Sequence, residues 1–142
     1  MEHKIIVICR GIIVDNDKML VVENAKNNFF CPPGGKMEFG ENPKQTTIRE
    51  VEEELVVKPE LGRLLYVNTY NDGKDQAVEF LYEILNIDDY QNIEKLKGSH
   101  GFELSKIIWI NRDNAEKVLP SEIWQDFKEN NLPKDTERYI DG

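Results

Sequence analysis

Hydrophobic positions along the chain fall into short blocks separated by polar turns. "KIIVICRGIIV" (4 to 14) is apolar and β-branched, "DNDK" follows with turn-forming residues, and "MLVVE" (19 to 23) is apolar again, which predicts a hairpin of two strands. "NAKNNFFCPPGG" then reads as a loop, because Pro32, Pro33, Gly34 and Gly35 sustain neither a helix nor a central strand. Asn42 followed by Pro43 is the signature of an N-cap and first helical residue, and Pro59 closes off continuation, so a helix is expected over about 43 to 56. Its apolar residues Ile48, Val51 and Leu55 recur at three and four positions, forming one inward stripe.

Downstream, "GRLLYVNTY" (62 to 70) and "AVEFLYEIL" (77 to 85) flank an Asp-Gly turn and predict a second hairpin. A polar stretch leads to "KIIWI" (106 to 110), expected as a strand. "PSEIWQDFKENN" (120 to 131) places Ile123, Trp124 and Phe127 on one face behind a Ser121 cap, an amphipathic helix. The final "KDTERYIDG" is expected to fray. Hairpins on either side of a helix, with a second helix near the end, predict an α+β fold in which a mixed sheet is flanked by helices, an α/β/α sandwich. With no repeat and no linker, residues 1–142 are expected as a single domain.

The composition narrows the function. Twenty-seven acidic against eighteen basic side chains give a net charge of -9, an unfavourable field for a nucleic-acid polymer or an anionic membrane. A small phosphorylated ligand remains open, because a divalent cation reverses the local sign. Cys9 and Cys31 have no metal-binding spacing and are expected as reduced thiols of a cytoplasmic protein. The first apolar run contains Arg10 and is too short to span a bilayer.

The acidic residues of the first helix are the main chemical feature. Glu50 lies one turn from both Glu53 and Glu54, so like charges crowd one face, each pair costing roughly 0.2 to 0.5 kcal/mol when unscreened. Helical periodicity by itself gives only a solvated acidic face. The residues in front of it change the picture: Gly35, five residues, Glu41, seven residues, Arg49-Glu50, Val51, one residue, Glu53-Glu54. This spacing resembles the Nudix box, the signature of the Nudix hydrolase family, over Gly35 to Val57. Two positions depart from the family pattern. Val56 stands where a glycine is usual near the helix end, and Thr46 and Thr47 stand where alanines are common. If that glycine holds a positive φ, a β-branched valine is strained there.

The resemblance implies a Nudix-like fold and hydrolysis of a nucleoside diphosphate linked to another group, with Mg²⁺ or Mn²⁺ as cofactor. It implies Glu50, Glu53 and Glu54 as metal ligands with Gly35 beside them, and Glu41 and Arg49 as supports of loop and helix. The water-activating base is left between Glu53 and Glu103, the latter in a loop six residues before Trp109. Substrate-binding candidates are Arg10, Phe30 and Gly34; His100, Glu38 and Phe29 are weaker ones. A small nucleotide-type substrate is the expected partner, and a homodimer lies within the family's range. The competing reading is a Nudix-fold module that binds a nucleotide or a protein partner without turnover. The sequence does not choose among nucleoside triphosphates, sugar nucleotides and other derivatives.

Overall fold

The computed structural model describes residues 2–24, 28–97, 106–114 and 116–142. Its strands are β1 (Ile5–Ile12), β2 (Val14–Asp15), β3 (Lys18–Asn24), β4 (Phe29–Cys31), β5 (Gly34–Lys36), β6 (Leu61–Asn71), β7 (Gln76–Ile84), β8 (Ile107–Asn111) and β9 (Arg138–Asp141). The α-helices are α1 (Pro43–Leu55) and α2 (Ser121–Lys128), and two 3-10 turns occupy Ile87–Tyr90 and Ile93–Leu96. One sheet runs β5-β1-β7-β6-β9. It is mixed, with β1 parallel to β7 and β6 parallel to β9, while β5 pairs β1 and β7 pairs β6 antiparallel. In the second sheet β8 takes one edge of β3, and β2 and β4 share the other.

The "MLVV" run explains how two helices share this framework. Met19, Leu20, Val21 and Val22 are all buried, so β3 is covered on both faces. Met19 and Val21 join a core with Ile123, Trp124 and Phe127 of α2. Leu20 and Val22 join another with Val51 and Leu55 of α1. The expected α/β/α arrangement is therefore present. Among the described residues, no helix is long and apolar enough to cross a membrane.

Helix α1 begins where Asn42-Pro43 places it. Asn42 Oδ1 accepts from the Gln45 N–H and Gln45 Oε1 accepts from the Asn42 N–H, both at 2.9 Å, a reciprocal capping box. Thr47, Val51 and Leu55 form the fully buried stripe, one residue round from the expected one, with Ile48 half-buried. The hydroxyls that press into the sheet are satisfied locally: Thr46 Oγ1 donates to Glu41 Oε1 and Thr47 Oγ1 to the Pro43 carbonyl. The helix ends on Val56 at φ 73° and ψ -38°, so the strain foreseen for a valine at that position is present.

Four expectations are corrected. The run from 4 to 14 is not one arm of a hairpin with 19 to 23. Only its end turns back, at Val14 to Met19 and Asp15 to Lys18, whereas β1 pairs with β7 and β5. Within the expected loop, Phe29–Cys31 and Gly34–Lys36 are strands, the latter at a sheet edge where the glycines are tolerated. Helix α2 is capped by Pro120 without a side-chain bond, not by Ser121, and ends at Lys128. The last segment does not fray: β9 adds to β6, and buried Ile140 joins the α2 core.

Candidate active site

Arg49 organises the carboxylates of α1. Its Nε donates to Glu41 Oε2 at 2.7 Å and its Nη2 to Glu41 Oε1 at 3.0 Å and to the Lys36 carbonyl at 3.1 Å. Its Nη1 reaches Glu50 Oε1 at 2.9 Å and Glu53 Oε1 at 3.4 Å. One guanidinium thus ties the end of β5, the turn after it and two helix carboxylates together. The Arg49 hydrogen bond, with the Glu38-side backbone bond, holds the Glu41 carboxyl down to about 2.

Gly35 and Gly34 are required by close approach. A Cβ on Gly35 would stand 2.4 Å from Cδ and Oε2 of Glu50, and one on Gly34 would stand 2.2 Å from the Cys9 carbonyl and 2.6 Å from Arg10 Cα. Without side chains, β5 lies against both the helix carboxylates and β1. The Gly34 N–H points to Glu54 Oε1 at 3.3 Å.

Glu54 differs from its neighbours. Its Oε2 is buried and has no hydrogen-bond partner among the described residues. Burial pushes its carboxyl up to about 7, with Glu50 and Glu53 adding to the rise and Arg10 and the Gly34 N–H opposing it. The Glu53 side chain is 51% exposed and that of Glu50 19%, so the three carboxylates differ in their access to solvent, with Glu53 the most open.

These donors fit a hydrated divalent cation. All are hard oxygens, one buried lone-pair site is unmet, and the acidic set lacks a full complement of positive charge. Among the described residues, no group of three or more His, Cys, Asp or Glu side chains could hold a metal ion as it stands, so no ready-made cage is present. A cation that keeps several waters and bridges to phosphate does not need such a cage.

Beside Arg10, the two sheets and the segment before α2 line a cavity of about 330 Å³, with Phe29, Asn68, Tyr70 and Glu79 among its walls. Arg10 Nε donates to Glu79 Oε2 at 2.7 Å and its Nη1 to the Pro32 carbonyl at 3.0 Å. Burial opposes the charge on Arg10, but Cys31 and the Glu79 and Glu54 carboxylates outweigh it and hold the guanidinium above its ordinary value.

The expected site residues therefore divide. Glu41, Arg49, Glu50, Glu53, Glu54, Gly34 and Gly35 come together around α1 and β5. Arg10 stands behind them, paired with an acid across the strands. Phe30 is buried in the α2 core and is not among the cavity-lining residues, whereas Phe29 is. Glu103 and His100 lie outside the described residues. Sequence reasoning missed Asn68 and Glu79, which are 1% and 2% exposed; a polar residue in a strand ordinarily signals a solvent-facing position.

The NUDIX domain family model matches residues 5–130. An ADP-ribose pyrophosphatase from Methanocaldococcus jannaschii is 35% identical over 82 residues, covering 53% of this chain and 48% of that protein. A diphosphoinositol polyphosphate phosphohydrolase 2 from Homo sapiens is 32% identical over 108 residues, covering 72% of this chain and 54% of that protein. The chain spans about half the length of these curated relatives. A MutT NUDIX hydrolase from Burkholderia pseudomallei shares the fold, with a TM-score of 0.69 at 20% identity over 86% of this chain and 96% of that one. With the box residues assembled around α1 and β5 and the family model spanning most of its length, this chain belongs to the Nudix hydrolase family.

Proposed function

We propose that residues 1–142 form a single Nudix domain that hydrolyses the pyrophosphate bond of a nucleoside diphosphate linked to a further group, with Mg²⁺ or Mn²⁺ as cofactor. The observation that carries this reading is the buried, unpartnered Oε2 of Glu54 within one helical turn of Glu50 and beside Glu53. Leaving a carboxylate oxygen unmet is costly for a purely structural helix and useful for one that binds a cation. Two relatives are named for cleaving ADP-ribose and for acting on diphosphoinositol polyphosphates, both diphosphate-bearing molecules.

In this reading Glu50, Glu53 and Glu54 hold the cation, with Gly35 giving it room to approach. When bound, it supplies Lewis acidity and neutralises charge on the phosphate oxygens. Water attacks one phosphorus; the new P–O bond forms as the bridging P–O bond breaks, and the water's proton passes to a carboxylate. Glu53, the most exposed of the three, is the acceptor we favour, with Glu103 as the alternative base. Arg49 orients Glu50 and Glu53, and Glu41 anchors Arg49. Gly34, Arg10 and Phe30 remain the substrate-side candidates, with Phe30, which joins the α2 core while Phe29 packs on the other one, acting only through packing. Cys9 and Cys31, buried and unbridged, accord with a cytoplasmic location.

The test is phosphate or pyrophosphate release from ADP-ribose, nucleoside triphosphates and a diphosphoinositol polyphosphate, with and without Mg²⁺ or Mn²⁺. Turnover should require the cation and fall by roughly 10²-fold or more in Glu53→Gln and Glu54→Gln. Wild-type turnover that persists in both variants removes this reading, and no turnover over the whole panel favours a binding module.

A further inference from the structure

We infer that Thr46 is a positioning residue for the cation site: its hydroxyl ties the Glu41 carboxylate to α1, and through it the Arg49 guanidinium that orients Glu50 and Glu53. The inference rests on the functional reading above for the presence of a cation.

Glu41 lies in the turn between β5 and α1, and its carboxylate bonds three residues. Oε2 accepts from Arg49 Nε at 2.7 Å, while Oε1 accepts from Arg49 Nη2 at 3.0 Å, from the Glu38 N–H at 3.0 Å and from Thr46 Oγ1 at 2.9 Å. These ties differ in stiffness. The Glu38 N–H belongs to the same turn and moves with it. Arg49 reaches Glu41 on a long side chain with several torsions, so the fork alone leaves the two side chains free to swing together. Thr46 sits in the first turn of α1, fully buried, with a hydroxyl one torsion from the backbone. It is the short link between the Glu41 carboxylate and the helix.

The hydroxyl has a choice of acceptors, and the carboxylate is the best of them. The Asn42 carbonyl lies 3.2 Å from Oγ1, but it already accepts the Thr46 N–H at 3.1 Å and carries no charge. The Cys9 thiol, beside both Thr46 and Thr47, is a weak acceptor. A bond to an ionised carboxylate is roughly twice as strong as one between neutral groups. Thr47 supplies the contrast. Equally buried, its hydroxyl donates to the Pro43 carbonyl at 2.8 Å, a bond that ties the helix only to itself. Without the Thr46 bond, Glu41 and Arg49 stay paired, yet their joint placement beside Glu50 and Glu53 loosens. The loss is one of ligand position, with every carboxylate still present.

The test is Mn²⁺ binding to the whole chain, followed by electron paramagnetic resonance of the free ion, beside thermal melts in EDTA. Thr46→Val keeps the shape and removes the hydroxyl. It should weaken Mn²⁺ binding about 3- to 10-fold, less than the roughly 10- to 100-fold typical of a group bonded directly to a ligand, because Thr46 acts through Glu41 and Arg49. Thr46→Ser keeps the hydroxyl and loses a methyl, so it should bind Mn²⁺ as the wild type does even where it melts lower. Thr47→Val should likewise leave Mn²⁺ affinity unchanged. In an Arg49→Lys background Thr46→Val should cause no further loss, since its route to the ligands is already broken. Thr46→Ala reads the same missing hydroxyl if the valine variant does not fold. Equal Mn²⁺ affinity in wild type and Thr46→Val, or equal losses in Thr46→Val and Thr47→Val, overturns the inference and leaves Thr46 a packing residue, with the functional reading intact. A wild-type chain that takes up no Mn²⁺ overturns both.

Discussion

Arg49 and Glu41 are joined as fork to fork: Nε to Oε2 at 2.7 Å and Nη2 to Oε1 at 3.0 Å. The remaining nitrogen of the guanidinium reaches Glu50 and Glu53, so the position of two carboxylates depends on a planar group held by a third. Lysine keeps the charge but cannot make two parallel bonds and reach a second carboxylate. Arg49→Lys should therefore lower catalytic efficiency and apparent cation affinity by about 10- to 100-fold, as for other residues that orient ligand groups. Initial rates over a Mg²⁺ titration will show it, and an unchanged cation dependence would assign Arg49 a purely structural role.

Glu54 makes the stability of the cation-free protein depend on pH. Its carboxyl is raised to about 7 in the fold, chiefly by burial, against about 4.3 in an unfolded chain. The folded state binds the extra proton between these values, so stability falls as pH rises through that window and levels off above it. Thermal melts in EDTA should show a melting temperature that declines from about pH 4.5 to pH 7. Glu54→Gln, which cannot ionise, should flatten that part of the curve.

Val56 is a local misfit that a single change relieves. A β-branched residue at φ 73° closes α1, its N–H still bonded to the Glu52 carbonyl at 2.8 Å. Glycine adopts this conformation freely but adds entropy to the unfolded chain. The relief should exceed the entropy, so Val56→Gly is expected to stabilise by about 1 kcal/mol. That corresponds to a melting temperature higher by about 3 °C, read by calorimetry.

The end of the chain is clasped from inside. Tyr66 Oη donates to Asp126 Oδ2 at 2.7 Å, and Arg138 Nη1 donates to the same oxygen at 2.5 Å, linking β6, α2 and β9. Tyr66→Phe should destabilise by about 1 kcal/mol. Amide exchange should quicken most in β9 and its partner residues of β6, and uniform protection loss would place the role elsewhere.

How much of this was legible depended on the range of the interactions. Helix α1 was readable because Asn42 and Pro43 mark its start locally and Pro59 its limit, and because Glu50, Glu53 and Glu54 lie on the same element. The strain at Val56 was readable through the glycine that the family pattern carries at that position. Strand β9 was not, since "RYID" buries one side chain, Ile140, against strands some seventy residues earlier. The first hairpin was over-read because neighbouring apolar runs usually pair, whereas β1 finds its partner in β7, about seventy residues downstream. Asn68 and Glu79 escaped notice because strand alternation does not distinguish a solvated face from a polar cavity. Only the pairing of β1, β6 and β7 brings Arg10 and Asn68 within reach of Glu79.

Arg10 is one cation whose charge is felt by Glu79 on one side and Glu54 on the other. Among the described residues, no other arginine is hydrogen-bonded to either acid. Mutational effects at the two acids should therefore fail to sum, and a double-mutant cycle on Glu54 and Glu79 would measure the shortfall as an energy shared through their common counter-ion.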